Sequence, residues 1–178
     1  MYISKVYDGR PDDKRTDTEE KCYDLLNKLS VDFLRVDHDV ADTMEDCTVI
    51  GDTLGIMICK NLFLTNRQKT DFYLLMMPDD KEFRTKDLSH QIGSARLSFA
   101  GTEFMRDMLG VEPGSVSVLG LMNDKENKVR LLIDKDVLKN EFVGCHPCRN
   151  TSSLRIKTAD LLGKILPALS HLPTEVSL

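Results

Sequence analysis

The chain has 178 residues, 41% hydrophobic and 30% charged, with 24 Lys and Arg against 29 Asp and Glu for a net charge of −5. These values describe an ordinary globular domain long enough to bury a core, and they exclude collagen-like, low-complexity and largely disordered classes. They also argue against a general nucleic-acid binder, which needs a basic surface to grip a phosphate backbone, but not against an enzyme that touches only the end of an RNA.

The charge is uneven: residues 1–50 hold 7 basic and 13 acidic side chains, and residues 51–178 hold 17 and 16. No apolar run reaches the roughly 18 residues that span a bilayer, so no membrane partner is expected. The first 15 residues lack the apolar stretch of a secretory signal. Five cysteines (22, 47, 59, 145 and 148) form an odd, irregularly spaced set. Reduced thiols and a cytoplasmic location are the expectation.

Thr16-Asp-Thr-Glu19 has the form of a capping box, and Cys22, Leu25, Leu26 and Leu29 follow at helical spacing, predicting a helix over 17–29. Residues 33–38 alternate as a short strand, and Thr43 opens a second helix reaching Leu54. Residues 56–65 give the strongest strand, and with 71–77 they predict a hairpin across a polar five-residue turn. A short helix over 86–91, a strand over 96–99 and a helix over 102–109 stopped by Gly110 come next. Residues 115–122 and 128–133 read as a second hairpin, followed by a helical turn within 134–140. Residues 142–150 read as a loop, 154–156 as the last strand, and Thr158 as the cap of a final helix over 159–170 that Pro167 kinks or ends. Mixed strands and helices without strict alternation give an α+β class with a mixed sheet.

Lys60 is the first anomaly. In an extended strand it shares a face with Ile56, Ile58, Leu62 and Leu64, while Met57, Cys59, Asn61 and Phe63 share the other. Either the lysine carries its amine out past a sheet edge, or it lines a partly desolvated pocket and meets a ligand carbonyl or carboxyl group. Cys145-His-Pro-Cys148 is the second. Its late position does not suit a thioredoxin-like redox motif, and no second ligand pair gives zinc spacing. Proline instead biases His146 toward extended backbone, leaving it an exposed loop histidine or a donor or proton shuttle aimed into a cleft. Pro113-Gly-Ser-Val116 permits close backbone approach at Gly114, though an ordinary turn reads the same way. No phosphate-loop, dinucleotide, nucleophile-elbow or zincin motif is present.

Cys59-Lys-Asn-Leu-Phe-Leu64, Arg96-Leu-Ser-Phe99, Leu109-Gly-Val-Glu-Pro-Gly-Ser-Val116 and Gly144-Cys-His-Pro-Cys-Arg-Asn-Thr-Ser152 occur in this order. Together they resemble the YbaK family of aminoacyl-tRNA editing domains, in its free-standing prolyl-tRNA editing (PrdX or ProXp-ala) branch. The resemblance covers 31–167 of a single editing domain over 1–178; residues 1–30 form an extension with one helix. It implies a curved, barrel-like mixed sheet packed with helices. It implies a trans-acting hydrolase that removes alanine from tRNA for proline, acting on the acceptor end without cofactor or metal and with prolyl-tRNA synthetase as a protein partner. By the same resemblance Lys60, Asn61 and His146 are the catalytic residues. Gly114, Ser115, Val116, Ser117 and Val118 shape the amino-acid pocket, with Ser98 beside them. Val118 stands where the family loop has proline. That departure opens two alternatives, a cysteinyl-tRNA deacylase and a non-catalytic module that binds tRNA or synthetase.

Overall fold

The computed structural model describes all 178 residues. Its strands form two sheets. The first comprises β1 (Tyr7–Asp8), β2 (Phe33–Asp37), β7 (Phe142–Cys145) and β8 (Ser152–Lys157), ordered β1-β2-β8-β7 and antiparallel throughout. The second is ordered β5-β3-β4-β6-β9, from β3 (Cys59–Asn66), β4 (Phe72–Pro78), β5 (Leu97–Phe99), β6 (Val129–Asp134) and β9 (Thr174–Val176). Here β5, β3 and β4 run antiparallel, while β6 and β9 run parallel to β4. The α+β class with a mixed sheet is as expected; the strands divide between two sheets rather than closing into a barrel.

Helix α1 (Asp17–Lys28) starts at the expected capping box: Thr16 Oγ1 accepts from the Glu19 amide, and the Glu19 carboxylate accepts from the Thr16 amide. Cys22, Tyr23 and Leu26 bury its inner face in the main apolar cluster, so the acidic N-terminal segment contributes core. Thr16→Ala leaves the Glu19 amide without its side-chain acceptor and is expected to lower unfolding free energy by about 1 kcal/mol. Urea denaturation checks this. Helices α2 (Met44–Leu54), α3 (Thr85–Ile92) and α5 (Lys135–Leu138) match the expected positions. Helix α4 (Thr102–Phe104) continues through a π-helical turn at Met105–Leu109 before Gly110.

β4 is buried on both faces. Phe72, Leu74 and Met76 enter the main cluster between the sheets, and Tyr73, Leu75 and Met77 enter a second cluster with Leu88 of α3. β3 carries the same alternation, with Phe63 in the main cluster and Leu64 in the second. Asn61 therefore belongs to the inter-sheet face and Lys60 to the α3 face.

Four expectations require correction. Residues 115–122 are not a strand. Every one of them is buried, so no two-faced alternation exists. Ser117 Oγ instead accepts from Leu119 N and opens a 3₁₀ turn at Val118–Asn123. Gly120 there lies so close to α4 that a Cβ would stand 3.0 Å from the Leu109 carbonyl oxygen. Without that partner strand, β6 pairs in parallel with β4. Residues 142–145 form β7 rather than loop, their strand character masked by Gly144 and Cys145. Residues 154–156 belong to the longer β8 and are not the last strand, because β9 follows. Thr158 does not cap the final helix: Lys157 holds the N-cap position, and the Thr158 hydroxyl donates to the Asn140 carbonyl. That helix, α6, runs Thr158–Asp160, continues as a π-helical stretch Leu161–Ile165 and closes at Leu166–Ala168, with Pro167 in its last turn.

Candidate active site

A cavity of about 400 Å³ opens where the start of β3, helix α2, the 113–116 turn and the β7–β8 connection meet. Lys60, Asn61, Gly114, Val116 and His146 all line it. Three segments far apart in sequence thus deliver to one cleft most of the residues singled out above.

β3 positions two of them through an unpaired edge. It pairs with β4 along its length, but β5 covers only Leu64 to Asn66 on the other side. At Lys60 and Asn61 that second edge is free, so both residues border the cavity although their side chains leave opposite faces. The strand begins at Cys59 rather than at 56; Ile56 and Ile58 precede it as cavity wall. The Lys60 ammonium donates to the main-chain carbonyls of Asp79 (3.2 Å) and Lys81. Two of its three N–H donors are thereby fixed, and one is left for a ligand oxygen. Lys60 also borders a second, more open cleft of about 550 Å³ with Phe83 and Phe99. It therefore stands at the mouth, not the floor, of the main cavity.

His146 is half-buried, and its Nδ1 lies 3.0 Å from the Ser152 carbonyl oxygen. A carbonyl only accepts, so Nδ1 carries the proton and the partnerless Nε2 is an acceptor. Burial is the first cause holding its pKa below the ordinary 6.5, and the nearby His38 adds to it. His38 is depressed as well, again chiefly by burial. The two rings lie 6.5 Å apart. Both are neutral in the folded protein at neutral pH. Because their folded pKa values are lower than the unfolded ones, no penalty exists above about pH 6.5, and stability falls as pH drops below that value. Thermal unfolding from about pH 7.5 to 5.5 is expected to show a smaller drop for His146→Gln, which has one buried imidazole fewer to protonate. Equal drops would contradict the assignment.

Gly114 adopts φ +83°, the left-handed region that favours glycine, and brings the turn to the cavity rim. Ser115 Oγ accepts from the Asn150 amide, and Ser117 Oγ donates to the His146 carbonyl at 2.7 Å. These two serines tie the glycine turn to the histidine loop without lining the cavity. Val118 is fully buried in the main cluster and also lies outside the lining. The pocket's size on this side is set by Gly114 and Val116, so the residue that replaces the family proline does not shape the wall directly. Ser98 is exposed on β5, away from the cavity, whereas its neighbour Phe99 lines it.

Sequence reasoning missed Asn150, Asp79 and Ser153 in the wall, and His38 bonded to Ser153. Asn150 donates from Nδ2 to the Ala41 carbonyl at 3.0 Å, which leaves its buried Oδ1 without a partner. Asn61 Oδ1 is likewise buried and unpaired. Each such orphan costs about 1–3 kcal/mol, a price a structure retains where a ligand supplies the donor. Asp79 also lines the cavity and engages no partner through its carboxylate. Ser153 lies 2.9 Å from His38 Nε2, and His38 Nδ1 lies 2.7 Å from the Asp39 carbonyl oxygen, so the Ser153 hydroxyl donates to the imidazole. Asn150 stood within a quoted motif; for Asp79 and His38 no local pattern gave a signal.

Burial raises the pKa of each wall thiol, Cys47, Cys59 and Cys145, and so holds it protonated. Burial, then the Asp79 carboxylate, pushes Cys59 up to about 12, and burial pushes Cys145 up further. Cys148 turns away and meets Cys22 of α1, Sγ to Sγ 3.6 Å. No three His, Cys, Asp or Glu side chains are grouped to hold a metal ion, and no helix is long and apolar enough to cross a membrane.

Comparison with known proteins places this architecture. The family described as aminoacyl-tRNA editing domain matches residues 38–164. The prolyl-tRNA editing protein ProX of Acetoanaerobium sticklandii is 29% identical over 145 residues, covering 82% of this chain and 88% of the relative. Prolyl-tRNA synthetase associated domain-containing protein 1 of Danio rerio is 28% identical over 169 residues, 94% of this chain and 89% of the relative. A solved structure of a candidate trans-editing enzyme for prolyl-tRNA synthetase has the same fold, with TM-score 0.68 at 14% identity over 93% of this chain and 99% of that one.

Proposed function

The chain belongs to the aminoacyl-tRNA editing domain family, and from that membership we propose that it is a free-standing hydrolase that clears alanine from tRNA for proline. The observation that carries this is the meeting of Lys60, Asn61, Gly114 and His146 around one cavity of about 400 Å³. That volume suits a small aminoacyl group and part of its ribose. The named relatives, a prolyl-tRNA editing protein and prolyl-tRNA synthetase associated proteins, support tRNA for proline as the carrier and prolyl-tRNA synthetase as a partner.

The chemistry follows from the groups present. Water attacks the ester carbonyl; the carbonyl oxygen gains negative charge, and the ribose oxygen leaves. The free N–H of Lys60, at the cavity mouth, donates to an oxygen of the ester or the adjoining ribose phosphate and stabilises that charge. The remaining donors are already pinned to Asp79 and Lys81 carbonyls, so little reorganisation is needed. His146 Nε2, neutral and without a protein partner, accepts the proton of the attacking water, directly or through the vicinal ribose hydroxyl, and returns it to the departing ribose oxygen. Asn61 supplies a further polar contact from the same strand.

The sieve is steric. A pocket selects poorly against one missing methylene, so a separate small site that destroys whatever fits it restores fidelity. Single-turnover deacylation of tRNA for proline charged with alanine, cysteine or proline tests the assignment. Loss of the alanyl ester alone is expected. Faster loss of the cysteinyl ester, or loss of the prolyl ester, would overturn the alanine assignment.

A further inference from the structure

Several acceptors in the cavity wall lack a protein partner, and its free donors are Asn61 Nδ2 and the third Lys60 N–H. Asn61 Oδ1 and Asn150 Oδ1 are buried and unpaired, and the Asn150 amide is held that way round by its bond to Ala41. His146 offers Nε2 as an acceptor, because its other nitrogen donates to Ser152. The Asp79 carboxylate adds negative charge to the wall. The one cation, Lys60, is spent largely on main-chain carbonyls at the mouth. A wall of desolvated acceptors and one carboxylate is complementary to a small, positively charged group with several N–H donors. Asn150 also lies directly beneath the Gly114 turn, its Nδ2 being the nearest atom to where a glycine Cβ would stand, at 3.9 Å.

We propose that Asn61, Asn150 and Asp79 form a subsite for the α-ammonium of the aminoacyl group, so that the site selects a free primary amine as well as a small side chain. The subsite rests on the hydrolase reading above and adds the recognition element that size alone lacks. The amide oxygens accept N–H bonds, and Asp79 supplies the countercharge. Oriented by its amine, the acyl group presents its ester to Lys60 and its side chain to Val116.

Binding is measured rather than turnover, which separates this inference from hydrolysis itself. The probes are two amide-linked, non-hydrolysable adenosines, 3′-alanylamino-adenosine and its des-amino counterpart 3′-propionylamino-adenosine, titrated calorimetrically into the whole protein. The wild type is expected to bind the alanyl compound at least about tenfold more tightly. Asp79→Asn and Asn150→Ala should each erase most of that preference, with the propionyl affinity changing less than about twofold. A wild type that binds both compounds equally would overturn the subsite. So would variants that weaken both in proportion, since that marks general damage to the pocket. An alanyl preference that disappears in the variants supports the subsite even where deacylation is not seen, in which case only the hydrolase reading falls.

Discussion

Lys60→Ala is expected to lower single-turnover deacylation of alanyl-tRNA by about 10²–10³-fold, the usual cost of removing one donor that stabilises developing negative charge. The effect should fall on the rate more than on the fold. Lys60 is half-buried on the unpaired edge of β3, and its only polar contacts are the carbonyls of Asp79 and Lys81. Those carbonyls border open clefts and can be rehydrated, so unfolding free energy should change by less than about 1 kcal/mol. Lys60→Arg should not rescue the rate. A planar guanidinium cannot keep two main-chain carbonyls and a ligand oxygen in the arrangement a compact ammonium allows. Matched circular dichroism and denaturation curves with near-wild-type turnover would remove Lys60 from the mechanism.

His146→Gln is expected to cost about 10²–10⁴-fold, the contribution of a positioned general base. Glutamine keeps a donor for the Ser152 carbonyl but has no group that takes up a proton at neutral pH. The pH profile distinguishes this role from a steric one. In the wild type, deacylation should fall on the acid side only below the ordinary imidazole range, because burial holds the His146 pKa down. At neutral pH the imidazole is already in its working, unprotonated form. The variant should lose that acid limb as well as the rate. An identical limb in both proteins would assign the titration to another group and leave His146 as a positioning residue.

Much of this was legible in the sequence, for identifiable reasons. Period-two alternation placed Lys60 and Asn61 on opposite faces of a strand, and the register with Met77 and Met76 bears this out. The capping boxes at Thr16 and Thr43 fixed two helix starts because their signal is local and chemical. The segment 115–122 misled because Ser-Val-Ser-Val mimics an edge strand when the serines are taken to face water. In the protein both serines are buried and bonded to the neighbouring loop. β9 carried no signal: a three-residue edge strand after a proline is made by its parallel partner β6, not by its own residues.

The candidate site divides the same way. His146 was visible because Pro147 constrains it, and Gly114 because only a glycine sits easily at that turn. Asp79, His38 and Ser153 were invisible, since nothing local distinguishes an acid after a strand, or a histidine at a strand's end, from a surface residue. Their roles arise from the second sheet delivering Asp79, and β2 and β8 delivering His38 and Ser153, to the neighbourhood of one cavity. Val118 shows the opposite case: the family resemblance put it in the pocket loop, and packing buries it in the core.

The most direct test of the central claim follows the fate of the ester when purified protein meets alanyl-tRNA for proline, with the Lys60→Ala variant and a protein-free control run in parallel. Free alanine is expected to be released by the wild type, at a rate the variant loses, with both proteins retaining the tRNA on a filter. Stable retention of intact alanyl-tRNA by the wild type, with no alanine released beyond the control, would contradict it and leave a module that binds charged tRNA without editing it.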